Sequence, residues 1–132
     1  MDIIKTVCRE WKLKLVDAKL LDKREFRRLV NRSTGRESDF YNKSYICGRE
    51  ITMGVYDDED KRLAAFFHEL GHLLVHKKYR RKRAPEQMKT LHWEIEAWNC
   101  GIFHAYKKFG IVFNENTIKW AYKQAMTYYK HA

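Results

Sequence analysis

Asp57-Asp58-Glu59-Asp60-Lys61-Arg62-Leu63-Ala64-Ala65-Phe66-Phe67-His68-Glu69-Leu70-Gly71-His72-Leu73-Leu74-Val75-His76 is the stretch on which the fold turns. Four acidic residues stand where a helix would begin, and they match the positive end of its dipole. Leu63, Phe66, Phe67, Leu70 and Leu74 then recur at helical spacing, which predicts a helix ending near His76. His68 and His72 are four residues apart on it. Four residues advance about 400° at ~1.5 Å each, so both imidazoles point the same way, one turn apart. Glu69 is rotated about 100° from His68.

Working outward, Tyr45-Ile46-Cys47 and Ile51-Thr52-Met53-Gly54-Val55-Tyr56 are rich in β-formers and are separated by Gly48-Arg49-Glu50, so they read as two short strands. Asp22-Lys23-Arg24-Glu25 has the form of a capping box. The helix it opens runs through Phe26, Leu29 and Val30 and stops near Ser33-Thr34-Gly35, with Arg24, Arg27, Arg28 and Arg32 on its outer face. Trp11-Lys12-Leu13-Lys14-Leu15 alternates apolar and basic residues, the period of a half-exposed strand. Downstream, a helix is predicted from Pro85 to Phe109, with Leu91, Ile95, Trp98, Ile102 and Ala105 as its apolar stripe and Gly110 as its stop. Asn114 or Asn116 caps a last helix through Ile118, Trp120, Ala121, Ala125 and Tyr128. The expected class is α+β, helix-dominated, with a small β-sheet ahead of the His68 helix.

The 132 residues fit one domain, residues 1–132, and 45% hydrophobic content supports a packed core without disulfides. Cys8, Cys47 and Cys100 are odd in number and form no CxxC pair, which argues against a disulfide framework and a cysteine zinc ribbon. The lone cysteines, like Trp11, Trp93, Trp98 and Trp120, read as core residues. No window approaches a membrane span of ~20 apolar residues, and the N-terminus lacks the apolar run of a signal peptide. The expected location is cytoplasmic, with no membrane partner.

Two imidazoles one turn apart can reach one zinc ion at ~2.0–2.1 Å. Glu69 is turned aside from them and reaches a water on that ion instead, the position of a general base. Catalytic zinc sites usually take three protein ligands, and the candidates for the third are Glu94, Glu96, His92 and His76. His76 would need the helix to bend. Glu94 and Glu96 lie about 200° apart around a helix, so only one of them can face the metal. Glu94, on the stripe with Leu91, Ile95 and Trp98, is preferred, and Glu96 is the alternative.

His68-Glu69-Leu70-Gly71-His72, followed by Glu94-Ile95-Glu96-Ala97, resembles the ImmA/IrrE-type gluzincin metallopeptidases and their phage and prophage relatives. That family pairs a HELGH helix with a later ExEA helix that supplies a glutamate ligand. The resemblance covers about residues 40–105. It implies a zincin-like fold, one Zn2+ per chain, and an endopeptidase acting on a protein substrate with Glu69 as general base. It also implies that the strand Ile51–Tyr56 lies along extended substrate. The chain departs from the family after ExEA, where it continues Trp98-Asn99-Cys100-Gly101-Ile102-Phe103, and no DNA-binding or sensor domain is expected beside the peptidase domain. An oxyanion stabiliser is also required, and His104 and Tyr106 lie downstream on the ligand helix.

The formal charge is +10, from 27 Lys and Arg against 17 Asp and Glu. Lys77, Lys78, Arg80, Arg81, Lys82 and Arg83 form a run just past the motif helix. The run reads as a solvated loop, a nucleic-acid contact or a recognition element for acidic substrates. Two rival functions follow. One is a basic nucleic-acid-binding protein with a mainly structural zinc. The other is a DNA-associated protease resembling the SprT family, for which His92 would be the third ligand.

Overall fold

The structure, a computed structural model, describes residues 2–33, 35–81 and 90–128. Its elements run α1 (Ile3–Trp11), β1 (Lys14–Asp17), α2 (Lys23–Ser33), β2 (Tyr45–Cys47), β3 (Glu50–Met53), α3 (Glu59–Arg81), α4 (Thr90–Phe109) and α5 (Glu115–Met126), with short 3-10 turns at Ala18–Leu20 and Glu37–Phe40. The fold is α+β and helix-dominated, as expected. The chain packs as two compact units that divide within α3, after Phe66.

The first unit begins with a helix that the residue pattern did not announce. Asp2 caps α1 by accepting from the Lys5 backbone N–H at 3.2 Å, and Ile4, Val7 and Cys8 bury its inner face. Lys12, at φ 54°, turns the chain, so the strand starts at Lys14 and not at Trp11. The alternation from Trp11 to Leu15 therefore spans a helix end and a strand start. β3 is central in a three-stranded sheet, parallel to β1 (Leu15 beside Ile51) and antiparallel to β2 (Ile46 beside Ile51). Its Ile51, Thr52 and Met53 are buried. The strand stops at Met53, short of the expected Tyr56. At Gly54 a side chain would overlap the Phe40 and Lys43 carbonyls, and the Gly54 N–H turns to Ser44 Oγ at 3.0 Å.

α2 forms as expected, with Asp22 Oδ1 accepting from the Glu25 N–H at 2.8 Å. Its Leu29 and Val30 pack with Ala18 and Phe40, and Phe26 sits edge-on to Phe40 at 5.7 Å. Asp58 caps α3 through the Asp60 N–H at 2.8 Å. The Arg62 guanidinium on the second turn pairs with buried Asp17.

α3 does not end near His76. It continues to Arg81, since no glycine or proline intervenes between His72 and Arg81. In the second unit α3 and α4 cross closely. A Cβ on Gly71 would overlap the Ala97 carbonyl, and one on Gly101 would overlap the Phe67 carbonyl. This contact selects Glu94, Ala97, Trp98, Gly101 and Ala105 as the buried face of α4. The expected stripe is rotated: Leu91, Ile95 and Ile102 flank that face and are half-buried. Small residues decide the rotation, because they let the backbones approach.

Pro85, the expected start of this helix, lies outside the described residues. Gly110, at φ 67°, ends α4, and Asn114 Oδ1 caps α5 through the Thr117 N–H at 2.8 Å. α5 ends at Met126, before Tyr128. It packs on α4 through Trp120, edge-on to Trp98 at 5.9 Å. Cys8 is buried as expected, whereas Cys47 is exposed, since the β2 edge strand leaves it outside the core. Among the described residues no helix is long and apolar enough to cross a membrane.

Candidate metal centre

One helical turn on α3 and one residue on α4 make the site. His68 and His72 project from the same side of α3, their ring centroids 4.6 Å apart. The Gly71–Gly101 crossing draws α4 close enough for Glu94 to reach both. Glu94 Oε2 lies 2.7 Å from His68 Nε2, and Glu94 Oε1 lies 3.2 Å from His72 Nε2. One ligand atom from each residue falls within 4.8 Å of the others.

Those separations suit a small cation. Two ligands at ~2.0–2.1 Å in a tetrahedron stand about 3.3 Å apart. Two imidazole nitrogens and a carboxylate oxygen are also the donor types that zinc takes in catalytic sites. The three residues therefore fit the group. The Trp98 ring lies flat on His68, with centroids 4.0 Å apart and planes 3° from parallel, which fixes the imidazole about its χ angles.

The electrostatics are those of a site built around charge. Burial pushes the Glu94 carboxyl up, but hydrogen bonds from His68 and His72 and their positive charge outweigh it and hold it at about 2. Burial lowers the His68 imidazole, and the neighbouring His72 adds to this against the opposing pull of Glu94. Glu69 is 4% exposed, and among the described residues its nearest cationic partner, His68 Nδ1, stands at 3.6 Å, too far for a hydrogen bond. Burial first, and the Glu94 charge second, push its carboxyl well above the ordinary range. As a carboxylate it is thus a strong base, and protonated it is a donor.

Among the described residues the metal-binding group consists of His68, His72 and Glu94, without the other residues singled out by sequence. Glu96 faces away, toward Lys78 Nζ at 3.9 Å and Cys100 Sγ at 3.8 Å. His92 and His76 are exposed. His104 stands ten residues past Glu94, about 15 Å along the helix axis, and its ring lies against Phe67. Tyr106 is 58% exposed, one further step along. Of the basic run, Lys77 and Lys78 are exposed on α3, Arg80 and Arg81 belong to its last turn, and Lys82 and Arg83 lie outside the described residues.

Tyr128 is a further candidate, which the sequence places only on a helix stripe. It continues the buried line of Thr117, Ala121 and Ala125, which is the signal that directs it inward. Its phenol is raised by burial and then by the charges of Glu94 and Glu69, so it keeps its proton.

Comparison of the chain with protein-family models, with curated proteins and with solved structures finds no match, so the site's chemistry stands on its own geometry.

Proposed function

We propose that the chain is a zinc-dependent endopeptidase of the gluzincin type, with a zincin-like arrangement and a protein or peptide as substrate. One observation carries the reading: His68, His72 and Glu94 converge within 4.8 Å beside a buried glutamate that has no hydrogen-bonding cation among the described residues. A structural ion pair needs neither the second imidazole nor the second carboxylate. Zinc, when bound, supplies Lewis acidity, which polarises a peptide carbonyl and makes water acidic near neutral pH.

The chain's own residues do the rest. His68, His72 and Glu94 hold the cation, and the Trp98 stack keeps His68 in register. Glu69 takes a proton from the attacking water and delivers it to the leaving amine. Its burial favours both steps, because a desolvated carboxylate binds a proton strongly yet releases it to a more basic amine. Tyr128, protonated at neutral pH, donates a hydrogen bond to the oxygen on which negative charge develops. The free cysteines suit a reducing compartment such as the cytoplasm.

The test is elemental analysis beside casein cleavage. About one zinc per chain is expected in the wild type, Glu69→Gln, Glu96→Ala and Tyr128→Phe, and none in Glu94→Ala. Cleavage should fall by about 10²–10⁴-fold in Glu69→Gln and by about 10²-fold in Tyr128→Phe. No zinc in the wild type after reconstitution would overturn the reading.

A further inference from the structure

The first unit carries a feature that a peptidase centre in the second does not use. On α2, Lys23, Arg24, Arg27, Arg28 and Arg32 are all exposed, and Glu25 is the one carboxylate among the helix's eleven residues. Arg24, Arg28 and Arg32 are four residues apart and form a row with steps of about 6 Å. Lys23, Arg27 and Asn31 form the row beside it. Among the described residues none of these five cations makes an ion pair with a carboxylate.

Beside the rows lies a groove of about 400 Å³, lined by Lys23, Phe26, Arg27 and Asn31 of α2 and by Glu37 of the turn that follows. Phe26 is half-buried and backed edge-on by Phe40. Glu37 is held by the Tyr41 hydroxyl, which donates to its Oε1 at 2.9 Å.

We propose that this face of α2 binds single-stranded nucleic acid, with the phosphates along the arginine row and one unpaired base in the groove. Guanidinium groups one turn apart suit successive phosphates, and Phe26 offers an aromatic surface for a base. Asn31 and Glu37 offer edge contacts, Glu37 as an acceptor for an exocyclic amino group. A membrane surface fits less well. The apolar side of α2 is already spent in the core, with Leu29 3% and Val30 7% exposed. An acidic peptide would set its carboxylates against Glu37. A duplex has no free base to enter the groove.

The probe is a fluorescein-labelled single strand of about 12 nucleotides, within the site size of such grooves. It is titrated with the full chain by fluorescence anisotropy at several salt concentrations. Binding should weaken with salt, and its log–log slope should shrink by about 2 in Arg24→Ser/Arg28→Ser/Arg32→Ser, since each lost phosphate contact removes about 0.7. Phe26→Leu keeps apolar bulk in the core and should weaken binding about tenfold at unchanged slope, as loss of one stacked base does. Lys77→Ser/Lys78→Ser should leave the slope as it is. Melting curves superimposable on the wild type establish that the exposed arginine substitutions leave the fold intact.

Three results would overturn the proposal. One is no binding at low salt. Another is an arginine variant that binds with the wild-type slope, which would move the contact to the Lys77–Arg83 run. The third is equal affinity for the matching duplex or for polyglutamate, which would make the face a general polyanion surface.

Discussion

Asp17 and Glu94 are equally hidden carboxylates, each 7% exposed, yet they stand in opposite electrical settings. Asp17 has a closed account of partners. Its Oδ2 meets the Arg62 guanidinium, and its Oδ1 accepts from the Lys19 backbone N–H at 3.2 Å. Glu94 instead faces two imidazoles and shares its surroundings with the carboxyl of Glu69. The first arrangement sets its carboxylate against a cation of the chain itself. The second is complete only with a cation, or with protons, added. A buried ion pair can thus be told from a buried site by whether its charges balance once the histidines are neutral.

The largest effect should come from taking that cation's ligands away. His72→Ala is expected to reduce zinc from about one per chain to none, with loss of all measurable cleavage. Asp17→Asn should leave zinc content unchanged. Elemental analysis of the two variants side by side would break the comparison if both lost metal.

Next in size is the ion pair itself. Removing one partner strands a buried charge, so Asp17→Asn should destabilise the chain by about 3–5 kcal/mol in urea unfolding. Replacing both partners, Asp17→Leu with Arg62→Met, should recover most of that loss, because apolar groups of similar volume often match a buried pair. A double variant no better than the single one would mean that Asp17 acts mainly as the cap of the Ala18–Leu20 turn.

Zinc should stabilise by mass action. Free zinc at one hundred times its dissociation constant adds about 2.7 kcal/mol to a site that exists only in the folded chain. The corresponding rise in Tm should vanish in Glu94→Ala and persist in Asp17→Asn. Zinc binding should also weaken as pH falls and the ligand imidazoles protonate, and for His68, lowered by burial, that loss lies below the ordinary histidine range.

Much of this site was legible because it depends on local spacing. The four-residue step from His68 to His72 fixes a shared face on any helix, and Asp22 and Asn114 announce their helices through side chains that cap them. Glu94 was preferred over Glu96 by the same arithmetic. What was not legible depends on packing between elements. The rotation of α4 follows from Gly71 and Gly101 meeting across a helix crossing, which no single-helix pattern contains. Tyr128 reads as one more apolar position until α5 is docked on α4. The Trp98 stack on His68 has no sequence signature, since the same residue also fills the core. α1 was missed because its cap, Asp2, lies at the very start, and because the alternation that follows from Trp11 suggests a strand.

The smallest effect is also the one that sets the two regions most sharply apart, since it has the opposite sign. In zinc-free protein the Glu69 carboxyl is raised by burial, so the folded state prefers it protonated. For a group raised on folding, the favourable contribution is fully present below the unfolded value of 4.5 and is lost as pH rises toward and through the folded value. Glu69→Gln keeps the shape and cannot ionise. Its stability relative to the wild type should therefore be unchanged below pH 4.5 and should grow as pH rises, reaching a few degrees in Tm near pH 8. Asp17→Asn, by contrast, should be destabilising at pH 8, where it removes a paired carboxylate. Melting curves of metal-free protein at pH 4 and pH 8 decide the matter. If Glu69→Gln lowers Tm at pH 8, then Glu69 is paired in the zinc-free chain, and its role as the base falls with it.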